Sequence, residues 1–150
     1  MSNSWSRVTR RLGALRQLRS LADALLLFQI FFFATAVPAL LRLKLSRLRS
    51  LLELKGARLS PEPASVEKIS NYVEFVLWVG RPLVRRGCLT RGLTLYYFLR
   101  RAGLDVTIYF GMGKVNGEFA GHCWLVNDSQ PFLEAKSPQP HFAEIFRIPR

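Results

Sequence analysis

The stretch that decides the fold reads GCLTRGLTLYYFLRRAG and runs from Gly87 to Gly103. Its apolar residues recur at helical spacing, and Gly103 follows two arginines as a helix C-cap signal. The pattern predicts a helix with Cys88 at its N-terminal end. Unpaired N–H groups and the helix macrodipole favour a thiolate there. Three nearby cations favour it too: Arg85, Arg86 and Arg91.

A lone cysteine at a helix start is more often a small buried residue than a nucleophile. A second stretch, AGHCWLV at residues 120–126, raises the functional alternative. Its alternation predicts a strand with His122 and Trp124 on one face and Cys123 on the other. We interpret Trp124 as packing beside the site and Cys123 as a buried filler. His122 becomes the candidate base for Cys88, with a satisfied core histidine as the alternative.

Two further strands are predicted around the histidine strand. Residues 104–111 alternate, residues 127–130 form a turn, and residues 131–135 form a third strand. The resulting order is cysteine helix, strand, histidine strand, strand. Beyond residue 135 no alternating segment is predicted, so we expect no exposed sheet edge that grips a peptide. His141 lies in a proline-flanked stretch and is given no chemical role.

An acid must orient the imidazole, and two are near in sequence. Asp128 is six strand residues past His122, or about 20 Å away. Glu134 returns on the next strand and lies opposite His122 if paired positions sum to 256. A loop of three or five residues produces that register, whereas a loop of two or four residues places Ala135 opposite. We therefore predict that Glu134 is the orienting acid, provided that the turn has the length that produces this register.

These motifs resemble the transglutaminase-like superfamily, and within it the lasso-peptide leader peptidase. The resemblance covers about residues 66–135, and the apolar, arginine-studded stretch before it resembles the N-terminal part of the stand-alone form. It implies an α+β fold with a papain-like cysteine peptidase core, in which a catalytic helix precedes a three-stranded antiparallel sheet. The family's catalytic residues fall on Cys88, His122 and Glu134. Aspartate is commoner at the last position, and an arginine usually precedes the cysteine where this chain has Gly87.

The resemblance implies a bacterial, cytoplasmic cysteine protease that removes the leader from a ribosomally made lasso-peptide precursor. It also implies a separate leader-binding protein that delivers the precursor, and a cyclase related to asparagine synthetase that follows. Two alternatives stay open. One is a catalytically silent scaffold or adaptor in a peptide-maturation complex. The other is an acyl transferase with the same three residues, which sequence cannot separate from a hydrolase.

Composition limits the other classes of function. One hundred and fifty residues are enough for one domain. The only two cysteines are Cys88 and Cys123, so no disulfide framework is expected, which fits a reducing cytoplasm. The chain has no CxxC motif, no histidine cluster and no glycine-rich phosphate loop. We therefore expect neither a metal nor a cofactor.

The net charge of +12 is unevenly distributed. Residues 1–60 carry eleven basic against two acidic residues, whereas residues 61–150 carry eleven against eight. Small residues and prolines between Gly56 and Ser65 divide a basic, apolar helical segment (1–60) from the peptidase domain (61–150), and Ser65 is a predicted N-cap. The arginines of the first segment are interleaved with leucines, so nucleic-acid binding is not predicted.

Residues 24–41 contain no charge, at the short limit for a membrane span. Three alternatives follow: a helix buried against the domain or a partner, contact with a membrane surface, or a true span. We expect a contact surface, because Gln29 and Pro38 interrupt the segment. The apolar face of residues 20–55 is then a docking surface for the leader-binding protein or a membrane-surface contact, and its basic residues would steer an acidic partner.

Overall fold

The computed structural model describes residues 20–52, 63–80, 83–84, 87–115, 117–134 and 142–149. The described part of the chain forms helices and one antiparallel sheet, which confirms the α+β class. The helices are α1 (Leu21–Leu40), α2 (Leu45–Leu52), α3 (Pro63–Val79) and α4 (Cys88–Arg101). The strands are β1 (Thr107–Val115), β2 (Glu118–Asn127), β3 (Gln130–Phe132) and β4 (Phe142–Ile148).

Helix α4 has the predicted ends. It begins at Cys88, after Gly87 in an extended conformation that supplies no side-chain cap. At its other end Gly103 adopts a φ of 96°, and the Leu104 N–H donates to the Leu99 carbonyl at 2.9 Å. The left-handed glycine is the expected helix stop. Both ends therefore follow from local sequence, as does the position of Cys88.

The sheet has the strand order β3-β2-β1-β4, so the prediction of three strands was one short. Strand β4 pairs with β1, with a bulge where Glu144 is opposite Gly111 but Phe146 is opposite Phe110. Ile145 is the extra residue, and it breaks the alternation of period two. Because of that break, the sequence pattern did not predict a strand here. The sheet consequently ends in an edge strand that was not expected.

The β2–β3 hairpin has a two-residue turn. Asp128 and Ser129 have φ values of 48° and 63°, and Leu125 pairs with Phe132. Paired positions thus sum to 257, so the register of 256 was wrong. Strand β3 also ends at Phe132 rather than at residue 135. Leu133 follows with a φ of 57°, and the backbone leaves the ladder there. Ala135 lies outside the described residues.

Helix α1 packs along the domain against α3 and α4. Ile30, Ala34 and Val37 are buried, and the Phe33 ring stacks on Tyr97 with centroids 4.5 Å apart. They belong to the same apolar core as α3, α4 and the sheet. Of the three alternatives for this segment, a helix packed against the domain is therefore the one observed for its inner face. The predicted division at residue 60 lies outside the described residues.

The opposite side of α1 is exposed and apolar. We call it the outer face of α1 and define it by Leu21, Leu25, Phe28 and Phe32, which are more than half exposed. Their spacing of four, three and four residues places them on one side of the helix. By length and composition alone, α1 is the one helix among the described residues that could cross a membrane.

Helix α3 begins at Pro63, two residues before the predicted N-cap Ser65. Proline fits a first helical turn because its missing N–H has no partner to lose there. Its buried residues include Ile69, Tyr72 and Val76, and it contacts α1 and α4 about equally. The helix predicted beside the cysteine helix is thus confirmed, with an earlier start.

Candidate active site

Cys88 is the first residue of α4 and is partly exposed. The first N–H groups of a helix have no partner inside the helix, so the backbone around this thiol presents hydrogen-bond donors. The Arg91 N–H donates back to the Gly87 carbonyl at 3.1 Å and closes the first turn. Local structure therefore places a partly exposed cysteine at the positive end of the helix.

Hydrogen bonds lower the pKa of Cys88 to about 5, chiefly that from the Cys123 thiol. The Cys123 backbone N–H and the His122 ring also bind the sulfur and lower its pKa, while burial opposes them. Cys123 keeps its proton as the donor, so its own pKa is raised. At neutral pH Cys88 is consequently a thiolate, the nucleophilic form.

Cys123 is buried, as expected, but it is not a mere filler. It lies between β2 and α4, where a Cβ on Gly92 would approach its sulfur to 2.8 Å. Gly92 leaves this space one helical turn after Cys88. Adjacent residues of one strand, His122 and Cys123, both lower the pKa of Cys88 through hydrogen bonding, which strict alternation does not predict. The signal in the sequence was the glycine spaced four residues from the cysteine.

His122 lies on β2 in an aromatic setting. Its ring stacks near Trp124, with centroids 6.0 Å apart, and contacts Phe142 of β4 at 5.0 Å. Gly111 is its partner on β1, and a Cβ there would approach the Trp124 ring to 2.8 Å. Trp124 is 2% exposed and packs beside the site. Aromatic neighbours and a glycine thus hold the imidazole in place.

Glu134 is the acid that approaches His122. Its Oε2 lies 3.9 Å from the His122 Nε2, longer than a hydrogen bond. Extended β3 pairing would have placed Glu134 opposite Cys123, but the left-handed Leu133 ends the ladder first. Burial raises the pKa of Glu134, and Arg91 and His122 lower it. Asp128 is exposed in the turn, six residues along β2 from His122.

The interactions of Arg91 differ from those that the sequence predicted. It was expected to act as a cation beside the thiol, but its guanidinium binds carboxylates instead. Its Nε lies 2.7 Å from Glu74 Oε1 of α3, and its Nη1 lies 3.1 Å from Glu134 Oε1. Spacing of three residues from Cys88 on a helix was the available signal. Arg85, Arg86 and His141 lie outside the described residues.

The arrangement therefore brings together a thiolate, an imidazole and a carboxylate, which are the groups that acyl chemistry at a cysteine uses. No curated protein and no solved structure is significantly similar to the chain. The sequence profile of the transglutaminase-like superfamily matches residues 33–147, from within α1 to the last residue but one of β4. Because that match covers most of the chain, the protein belongs to the transglutaminase-like superfamily.

Proposed function

We propose that this protein is a cysteine peptidase that removes the leader from a ribosomally made lasso-peptide precursor. The observation that supports peptide chemistry is the partly exposed Cys88 thiol at a helix start, whose pKa is lowered to about 5, chiefly by hydrogen bonding from Cys123 and also by His122. A binding module has no need of a thiol whose pKa is held near 5. The choice of precursor rests on the resemblance of residues 66–135.

In the proposed reaction the Cys88 proton passes to His122, and the thiolate attacks the scissile carbonyl carbon as the carbonyl electrons move to oxygen. The Cys88 backbone N–H at the helix start is the first candidate donor to that oxyanion. Collapse breaks the C–N bond as His122 gives a proton to the leaving amine. Water, losing a proton to His122, then hydrolyses the thioester and regenerates the thiolate. Glu134 orients the imidazole throughout.

The test is mass spectrometry of the precursor after incubation with the purified protein. We expect two products whose masses sum to the precursor plus one water. Cys88→Ala and His122→Ala should each reduce turnover at least about 10³-fold, and the double variant should be no worse, because residues that act as a unit are non-additive. Circular dichroism checks that the variants fold. Wild-type turnover by Cys88→Ala would end the peptidase proposal.

Acyl transfer and a silent scaffold predict different products. Transfer to an added amine gives an adduct heavier than the hydrolysis product, since the amine replaces water at the thioester. A scaffold leaves the precursor intact, and its Cys88 reacts slowly with iodoacetamide near neutral pH. We expect fast alkylation, because a thiol with a pKa of about 5 is ionised there.

We further propose that a separate leader-binding protein delivers the precursor and docks on the outer face of α1. This face is apolar over about 17 Å of helix, from Leu21 to Phe32. The exposed cations Arg42, Lys44 and Arg47 follow it and suit an acidic partner. Strand β4 also offers the edge of a sheet, to which an extended peptide could add. The chain would then work in the cytoplasm beside its partner and the later cyclase.

The docking proposal predicts a kinetic response. Cleavage of full-length precursor should be slow alone and rise at least tenfold when the partner is added. Phe28→Gln should weaken that rise without changing basal cleavage. Phe119→Gln on β2 is the matched control, because it removes the same kind of ring, 74% exposed against 59% for Phe28, at a site away from α1 and β4. Substitution is preferable to truncation, since α1 also supplies Ile30 and Val37 to the core. A full rise with Phe28→Gln would contradict docking there.

A further inference from the structure

Arg91 joins three separate parts of the molecule at the candidate site. It lies one turn after Cys88 on α4 and is 26% exposed. Its Nε donates to Glu74 of α3 at 2.7 Å. Its Nη1 donates to Glu134 Oε1 at 3.1 Å, and its Nη2 donates to the Leu133 carbonyl at 2.7 Å. One guanidinium thus binds a neighbouring helix and both residues that follow β3.

The segment that carries Glu134 depends on these contacts. Strand β3 is only three residues long and ends at Phe132. The left-handed Leu133 then turns the backbone away from the ladder, so its carbonyl has no strand partner among the described pairings. Arg91 takes the place of the ladder by binding that carbonyl and the next side chain together. The planar fork of an arginine fits two such acceptors at once.

The two oxygens of Glu134 consequently have different neighbours. Oε1 is bound by Arg91, while Oε2 faces the His122 Nε2 at 3.9 Å. We propose that Arg91 is a positioning residue of the candidate active site, which holds one oxygen of Glu134 so that the other is directed at His122. This inference deepens the proposed function and rests on it for its kinetic test. Cys88 and Arg91 share α4, so one helix fixes both the nucleophile and the acid.

Glu74 completes the arrangement from the other side. It binds the Nε edge of the guanidinium, which leaves the two Nη groups for Leu133 and Glu134. A lysine would supply charge at one point but no fork, so it could not hold three acceptors in one plane. The contact with α3 therefore sets the plane of the guanidinium, and that plane sets the direction of the Glu134 carboxylate.

Charge acts in the same direction as geometry. The titratable groups that face Glu134 are Arg91 and Cys88 of α4, and His122 and Cys123 of β2. Burial raises the pKa of Glu134, and Arg91 is the strongest of the groups that lower it. Loss of Arg91 would therefore move the Glu134 pKa upward. A protonated Glu134 no longer offers the negative charge that an orienting acid supplies.

The decisive variant is Arg91→Lys, and Arg100→Lys is its control. Arg100 lies on the same helix but pairs with Asp105 at the far end. For Arg91→Lys we expect kcat for precursor cleavage to fall about 10²-fold with KM little changed, because small displacements of a positioned group cost that much. The control should keep kcat within about twofold. Unchanged kcat in Arg91→Lys would overturn the proposal.

Measurement in protein that carries Glu134→Gln separates positioning of Glu134 from a purely structural role of Arg91. If Arg91 acts through Glu134, Arg91→Lys should cost less than about twofold in protein that already carries Glu134→Gln. A second loss of about 10²-fold in that background would show that Arg91 acts elsewhere and would overturn the proposal.

A readout without substrate keeps this test independent of the proposed function. The carboxyl carbon of Glu134 can be followed by ¹³C NMR, with Glu134→Gln identifying its signal. We expect its titration midpoint to move to higher pH in Arg91→Gln, which removes the charge that lowers the Glu134 pKa, and to stay in place in Arg100→Gln. Should wild-type protein cleave no precursor, this shift would still support positioning by Arg91. An unmoved midpoint would contradict it whether or not the precursor is cleaved.

Discussion

At the scale of single residues, and among the described residues, the thiolate depends chiefly on its nearest hydrogen-bond donors. The sequence suggested arginines and the helix end as the cause of a low Cys88 pKa. In the structure the largest cause is the Cys123 thiol, and Arg91 is occupied by carboxylates. Hydrogen bonds to a charged group are strong, and Arg91 already has carboxylate partners of its own.

Cys123→Ala should therefore raise the Cys88 pKa. Removal of the thiol donor leaves the backbone N–H and His122, so the midpoint of iodoacetamide alkylation against pH should move up from about 5. The wild-type rate should rise with pH through that midpoint, because deprotonation creates the nucleophile. Cys123→Ser is the control, since its hydroxyl still donates. An unmoved midpoint in Cys123→Ala would exclude this contact as the main cause.

Glu134 and Asp128 provide a second residue-scale prediction. Of these two acids, Glu134 lies near the imidazole, at 3.9 Å, whereas Asp128 is exposed in the hairpin turn. Glu134→Gln should reduce kcat by about 10²–10⁴-fold, because the imidazole loses the charge that orients it. Asp128→Asn should change kcat less than about twofold. These values come from steady-state cleavage of the precursor, and the reverse order would assign the acid to Asp128.

At the scale of elements, the distance between α4 and β2 decides whether two cysteines can meet. Gly92 permits the approach, with space that Cys123 fills. Helix propensity opposes a glycine here by up to about 1 kcal/mol relative to alanine. Packing of the helix on the sheet compensates for that cost. The weak point of the helix is thus also the place where the candidate site is assembled.

Gly92→Ala should destabilise the fold in spite of its better helix propensity. The new Cβ would lie 2.8 Å from the Cys123 sulfur and 3.3 Å from the Ile108 Cδ1. Overpacking of this kind costs about 1–3 kcal/mol, so we expect the free energy of unfolding to fall by about 1–2 kcal/mol. Urea denaturation measures it.

Two further variants make the Gly92 experiment specific. Gly121→Ala is the control for an added methyl group, because the nearest atom to its Cβ is 3.9 Å away. Combination of Gly92→Ala with Cys123→Ala should recover part of the loss, since the clashing sulfur is gone. A double variant that is merely additive would mean that the strain lies elsewhere.

At the scale of the whole molecule, the two faces of α1 suit different surroundings, the protein core and an apolar partner or lipid. Its inner face is buried in the core, and Asp23 binds Lys68 of α3 at 2.8 Å. Its outer face is apolar and exposed. A helix held along one side by a domain cannot also be surrounded by lipid. Helix α1 therefore has the composition of a membrane span but packs as a core helix along its inner face.

We accordingly expect the protein to leave the membrane fraction of lysed cells on washing with carbonate. Peripheral contacts of an outer helix face are released by high pH, whereas spans are retained. Immunoblotting of the pellet and the supernatant provides the measurement, with an integral membrane protein of the same cells as control. Retention until detergent is added would mean that α1 detaches from the domain and spans the bilayer.

The sequence alone determined the helix from Cys88, the strand that carries His122 and the apolar character of α1. These are local properties, set by periodicity, a glycine stop and composition. It did not reveal β4, because the bulge at Ile145 interrupts the alternation on which strand prediction depends.

Tertiary structure alone decided which groups meet. Paired positions in β2 and β3 sum to 257, and the left-handed Leu133 ends the pairing before Glu134. Glu134 therefore approaches His122 from outside the ladder, which strand-pairing rules do not predict. The contact of Cys123 with Cys88 and the binding of Glu134 by Arg91 depend on how α4 lies on the sheet. Contacts between residues distant in sequence depend on how helices and strands pack. The spacing of residues along the sequence does not predict them.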